Sequence, residues 1–159
     1  MIYAPTDLKA VKLRDVPAGT IIEFPDLPED FSCAIKLADT EASSSLILPL
    51  AGEYAFRVIP WSEDGEITTA SCNPAAIRFR LGPSSSQADH HAAGVLTLHP
   101  NGAFLATQKK DHLRGPKIDV VTWDVVKVAN VDEGCAKYPS WEIGYVDAKG
   151  EFNTIYKRE

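Results

Sequence analysis

Asp89, His90 and His91 are the side chains best suited to chemistry, a carboxylate beside two imidazoles that could ligate zinc or exchange protons near neutral pH. Their spacing argues against both roles. Adjacent side chains of an extended segment point in opposite directions, so a site would need His99 or His112 as well. Neither HExxH spacing nor a paired-cysteine motif supports a metal. The segment reads as a solvated loop with no metal and no cofactor, and a small metal-dependent hydrolase centred on His90 and His91 is an alternative. Nucleophilic catalysis lacks a Gly-x-Ser-x-Gly elbow, and Cys33 and Cys72 fall on expected strands. Asp124 and Glu142 could be paired as glycosidase carboxylates, but 22 acidic residues offer many such pairs. No catalytic residue is assigned, and the chain reads as non-enzymatic.

Residues 109–117 carry Lys109, Lys110, Arg114 and Lys117 against Asp111, a net +3 in a chain of net −6, which leaves −9 elsewhere. Such a segment is either a solvated connection or a docking surface for an acidic partner, another copy of this chain included. Nucleic acid is disfavoured, because the global charge repels it and no aromatic residues interleave to stack bases. Glu23, Asp26, Glu29 and Asp30 form an acidic counterpart in the first half, so oppositely charged patches are available for a homo-oligomer or larger assembly. Trp61, Trp123 and Trp141, with Tyr138 and Tyr145, raise carbohydrate binding as an alternative. Trp61, at a strand end beside acidic residues, is the candidate for exposure, whereas Trp141 and Tyr145 share a face with Ile143 and read as core.

The elements that must position these groups are strands. Apolar and polar residues alternate from end to end of the 159 residues and no window holds a helical stripe, so the chain reads as all-β. Strands are expected near 9–14, 20–24, 31–37, 45–50, 53–61, 66–72 and 76–81. In 31–37 the odd positions are apolar, so one face goes inward and the other meets water. Tyr54, Phe56 and Val58 likewise share one strand face. Seven short strands suit an antiparallel β-sandwich over residues 1–82. Residues 83–93 lack alternation, are rich in small and polar side chains, and read as a linker. Residues 94–159 then form a small β-domain: a hairpin through His99-Pro100-Asn101-Gly102, a long strand over 118–129 with a bulge near 124–126, and a second hairpin through Asp147-Ala148-Lys149-Gly150.

The run Leu48-Pro49-Leu50-Ala51-Gly52-Glu53-Tyr54-Ala55-Phe56-Arg57-Val58, followed by Gly65 and Ser71, resembles the signature of fibronectin type III modules. Pro5-Thr6-Asp7-Leu8 is similar to the family's opening, and Phe24-Pro25 stands where the family places a Trp followed by Pro. The resemblance covers residues 4–82. It implies a spacer or adhesion unit and carries over no catalytic residues.

Three cysteines without metal-ligand spacing read as buried thiols, with a Cys33–Cys72 bridge as the alternative. No basic segment leads into an apolar stretch near Met1, so synthesis in a cytoplasm without a signal peptide is expected. No apolar run approaches the ~20 residues that span a bilayer, so no membrane association is expected. The reading is therefore a structural or interaction protein, with a bacteriophage virion component as one setting. Its expected contact residues are Lys109, Lys110, Arg114, Lys117 and Trp61.

Overall fold

In the computed structural model, which describes residues 8–23, 33–40, 45–61, 66–70, 77–126 and 135–159, the chain is all-β. Its strands are β1 (Leu8–Lys12), β2 (Ile21–Glu23), β3 (Ala34–Lys36), β4 (Ser45–Pro49), β5 (Ile59–Trp61), β6 (Glu66–Ala70), β7 (Ile77–Leu81), β8 (Leu96–His99), β9 (Gly102–Gln108), β10 (Arg114–Asp119), β11 (Val125–Val126), β12 (Ala136–Tyr138), β13 (Trp141–Val146) and β14 (Phe152–Arg158). They form three antiparallel sheets, in the orders β1-β6-β2-β3-β4-β5, β11-β10-β9-β8-β12 and β14-β13-β7. Among the described residues, no helix is long and apolar enough to cross a membrane.

The first sheet is buried on both faces at its centre. Ile21, Ile35 and Leu48 face the main core, while Ile22, Ala34 and Ile47 pack under Leu13 and Val16 in a second, smaller cluster. Alternation predicts that Lys36 meets water, yet it is only 1% exposed. Its Nζ donates to the Leu37 carbonyl at 2.9 Å and pairs with Asp39, so the charge is satisfied where it lies.

The expected division at 83–93 does not describe the packing. β7, the last strand of the supposed first half, pairs with β13, with Phe79 opposite Ile143 and Leu81 opposite Trp141. One core joins Ile21, Ile35 and Leu48 to Leu96, Leu105, Ile118, Trp141 and Ile143. The supposed linker is stitched down by backbone carbonyls that alternation cannot reveal. His90 O accepts from Lys117 Nζ at 2.6 Å and Ala93 O from the Arg158 guanidinium at 2.9 Å, and just past the segment Gly94 O accepts from the Trp141 indole at 2.8 Å.

Both expected hairpins of the second half form, β8–β9 and β13–β14. The long strand over 118–129 does not. β10 ends at Asp119, the chain turns, and β11 returns to pair Val125 with Ile118. The shift of apolar phase near Asp124 marks that turn, not a bulge. Residues 127–129, Cys72, Gly65, Ser71 and the acidic residues of 24–32 lie outside the described residues.

Candidate functional site

Residues 51–56 form a run of turns in the region where alternation predicts a strand over 53–61. Gly52 takes a left-handed φ of 78°, and Ala55, Phe56 and Arg57 donate back to the carbonyls of Gly52, Pro49 and Tyr54 at 3.2, 2.8 and 3.1 Å. Phe56 also has a positive φ, 57°, at a cost of roughly 1–2 kcal/mol for a residue with a Cβ. Burying its ring contributes about 1.5–3 kcal/mol and offsets that cost. The ring meets Trp141 edge-on at 6.2 Å, and the Arg158 guanidinium lies 5.9 Å from its centre. The segment carrying the likeness to fibronectin modules is thus a set of turns that drives one aromatic inward and leaves Tyr54 and Val58 half-buried.

Gln108, at the end of β9, fastens this segment to the second sheet. Its backbone N–H donates to Phe56 O at 2.8 Å and its Nε2 to Ala55 O at 2.9 Å. That leaves Oε1 to accept from His112 Nδ1 at 3.0 Å, which places the proton of a neutral His112 on Nδ1. Residues 109–113 form a tight loop closed by Lys109 N–H to Leu113 O at 2.7 Å. Asp111 and His112 are both left-handed within it, at φ 63° and 59°. Two consecutive non-glycine residues in that region store strain of about 1–3 kcal/mol each. The loop so formed holds Leu113 out at 63% exposure. Gly115 closes it, since a Cβ there would strike the Thr107 hydroxyl and the Gln108 backbone.

Between the two segments lies an open groove of about 690 Å³. Val58, Ile59, Pro60 and Pro116 supply its apolar lining, and Tyr54, Arg57, Gln108, Lys109, Lys110 and Glu53 the polar part. Three cations therefore face one carboxylate. The Arg57 guanidinium lies 5.6 Å from the centre of the Tyr54 ring, and its Nε–H is buried without an acceptor among the described residues. Among the described residues no carboxylate comes within 4 Å of the side-chain nitrogens of Arg57, Lys109 or Lys110. β5, an edge strand among the described residues, borders the groove and carries Pro60, which has no N–H for an added strand.

The four basic residues singled out in the sequence divide into two pairs. Lys109 and Lys110 line the groove and are exposed. Arg114 and Lys117 act on the loop at 89–91 instead. Lys117 is only 7% exposed and braces His90 O, while Arg114 lies close enough to Asp89 and His91 to perturb both. The expected role of Lys117 as a surface contact is thus replaced by an internal one, because β10 directs Lys117 inward. Trp61 is half-buried against the smaller cluster of Leu13, Val16, Ile22, Ala34 and Ile47, so it offers no open platform. Trp123 and Trp141 are core residues. Arg57, Tyr54 and Gln108 were missed as site residues, because a strand over 53–61 would have separated Tyr54 from Arg57 on opposite faces.

His90 and His91 lie with ring centres 3.9 Å apart and ring planes inclined at 43°, and Asp89 Oδ1 accepts the His91 backbone N–H at 2.9 Å. That hydrogen bond is the main cause holding the Asp89 carboxyl below its usual range. Burial first, then the charges of His90, Arg114 and Lys117, push the His91 pKa down. His99 accepts from Asn101 in its own turn, and His112 serves Gln108, so neither joins the pair. Two flanking cations make this loop a poor environment for a metal ion. No protein-family model, curated protein or solved structure matches the chain.

Proposed function

We propose that this chain is a non-enzymatic interaction protein whose groove captures an acidic segment of a partner protein that also presents an apolar side chain. The observation that carries the reading is the set of cations at Arg57, Lys109 and Lys110, facing an apolar lining with no carboxylate in ion-pair distance among the described residues. The lining includes no Ser, Thr, Cys or His, so it holds no hydroxyl or thiol nucleophile of the kind an imidazole base activates. Pro60 disfavours strand addition at β5, and recognition then falls to side chains: carboxylates on the cations, apolar groups on Val58 and Ile59. Exposed ion pairs contribute only ~0.2–1 kcal/mol each, so most of the affinity comes from apolar contact and the charges set specificity and rate. A dissociation constant on the order of 10–100 μM is expected. Such a surface suits a subunit of a larger assembly, a virion among them. Carbohydrate binding has less support, because Trp123 and Trp141 are buried and Trp61 is packed.

The test is fluorescence anisotropy with a labelled peptide of alternating glutamate and leucine. Binding is expected to weaken at least ~10-fold in K109E/K110E, and to weaken as salt rises from about 0.1 to 0.5 M and shortens the Debye length. Binding that ignores both changes, or tighter binding of a single-stranded oligonucleotide, would overturn the reading.

A further inference from the structure

β10 ends in two features of opposite character. At its start lie the groove and the loop at 109–113; at its end the chain turns at 119–124 into β11. Asp119 Oδ1 accepts the backbone N–H of Val121 at 2.8 Å and of Thr122 at 3.3 Å, and Trp123 N–H donates to Asp119 O at 2.7 Å. Trp123 is left-handed at φ 62°, its indole buried against Gly19 and stacked on Phe79 with centres 6.3 Å apart. Its carbonyl accepts from Ala38 N–H at 3.0 Å. A turn fastened in this way is a rigid knob. It holds Val121 out at 75% exposure beside the exposed Asp124, whose carboxylate has no ion-pair partner among the described residues.

We infer that the groove's occupant is the 119–124 turn of a second copy of this chain, with Val121 on Val58 and Ile59, and Asp124 facing Lys109 and Lys110. The inference rests on the reading of the groove as a receptor for an acidic protein segment. Charge complementarity carries it: an apolar tip with a carboxylate fits an apolar lining with cations, none of these charges being paired among the described residues. Because the knob is ordered before contact, docking does not have to order it. The six residues of β10 set groove and knob about 17 Å apart at ~3.3 Å per residue. One copy can therefore receive a knob while presenting its own, a head-to-tail contact that builds a ring or a filament.

Sedimentation velocity on the full chain tests this, with two variants. K109E/K110E spoils the groove and leaves the knob; V121K/D124K spoils the knob and leaves the groove. Both change exposed side chains, and unchanged thermal melts would confirm that both fold. The wild-type sedimentation coefficient is expected to rise between about 10 μM and 1 mM, and the rise to be suppressed in ~0.5 M salt. Each variant alone is expected to stay monomeric, and an equimolar mixture to associate again, since each pair of molecules holds one working groove and one working knob. A monomeric wild type, a V121K/D124K variant that associates like wild type, or a mixture that stays monomeric would overturn the inference. If V121K/D124K still binds the glutamate–leucine peptide while wild type does not self-associate, the groove is a receptor and its partner is another protein. Loss of peptide binding by the wild type would remove the underlying reading.

Discussion

Replacing Trp141 by Phe tests whether the chain unfolds as one body. Trp141 is 1% exposed, lies in β13 between β7 and β14, and touches Phe79 at 5.4 Å and Tyr156 at 5.6 Å between ring centres. It also meets Phe56 from the turns beside the first sheet, and its indole N–H donates to Gly94 O at the entry to β8. Phenylalanine leaves that buried carbonyl without its donor, at a cost of about 1–3 kcal/mol. It also leaves ~40 Å³ unfilled, at roughly 24 cal/mol per Å³ another ~1 kcal/mol. The expected loss is about 2–4 kcal/mol, a drop in melting temperature of about 4–16 °C for a chain of this size. Urea titrations followed by far-ultraviolet circular dichroism and by fluorescence of the remaining Trp61 and Trp123 provide the assay. Both probes should shift together with an unchanged slope, because the core joins all three sheets. A two-step transition, or a Trp61 signal that keeps the wild-type midpoint, would refute the reasoning.

Two further outcomes are expected. Lys117→Met should destabilise by about 1–3 kcal/mol because the His90 carbonyl loses its buried donor, whereas Lys109→Met and Lys110→Met, both exposed, should stay within ~0.5 kcal/mol; equal effects in urea melts would contradict the inward placement of Lys117. For His91, whose folded pKa is depressed by burial and by its cationic neighbours, the unfolded chain takes up its proton at a higher pH than the folded one. Stability contributed by the neutral form is then present above the ordinary histidine value of about 6.5 and declines as pH falls from there through the folded pKa. His91→Gln should decline less steeply over that window, and an unchanged slope in denaturant melts across pH would contradict it.

What alternation can show is a strand and its faces, and there the sequence was informative. Ile35 and Leu37, on the apolar face of 31–37, are core residues as that pattern implies. It cannot show which strand pairs with which over long separations, so the strand expected at 76–81 forms while its pairing with β13 stays invisible in the pattern. Nor can it register backbone acceptors: the 83–93 segment looks like a linker because the groups that hold it, Lys117 and Arg158, lie 27 and 65 residues from the carbonyls they bond. For the site, composition pointed to Lys109 and Lys110. Arg57 and Tyr54 stayed hidden because Phe56 adopts a left-handed conformation, rare for a bulky residue, which converts a strand-like pattern into turns. Gly52 was the available signal, a turn former in the middle of the supposed strand's approach.

The central claim, that the groove beside Arg57, Lys109 and Lys110 is the recognition surface, is tested most directly by mapping backbone amide shifts in nitrogen-15 spectra during titration with the glutamate–leucine peptide. Shifts are expected to concentrate at Tyr54, Arg57, Gln108, Lys109 and Lys110 and to vanish in K109E/K110E. Shifts gathered at the 89–91 loop or around Trp61, with none at the groove, would contradict it.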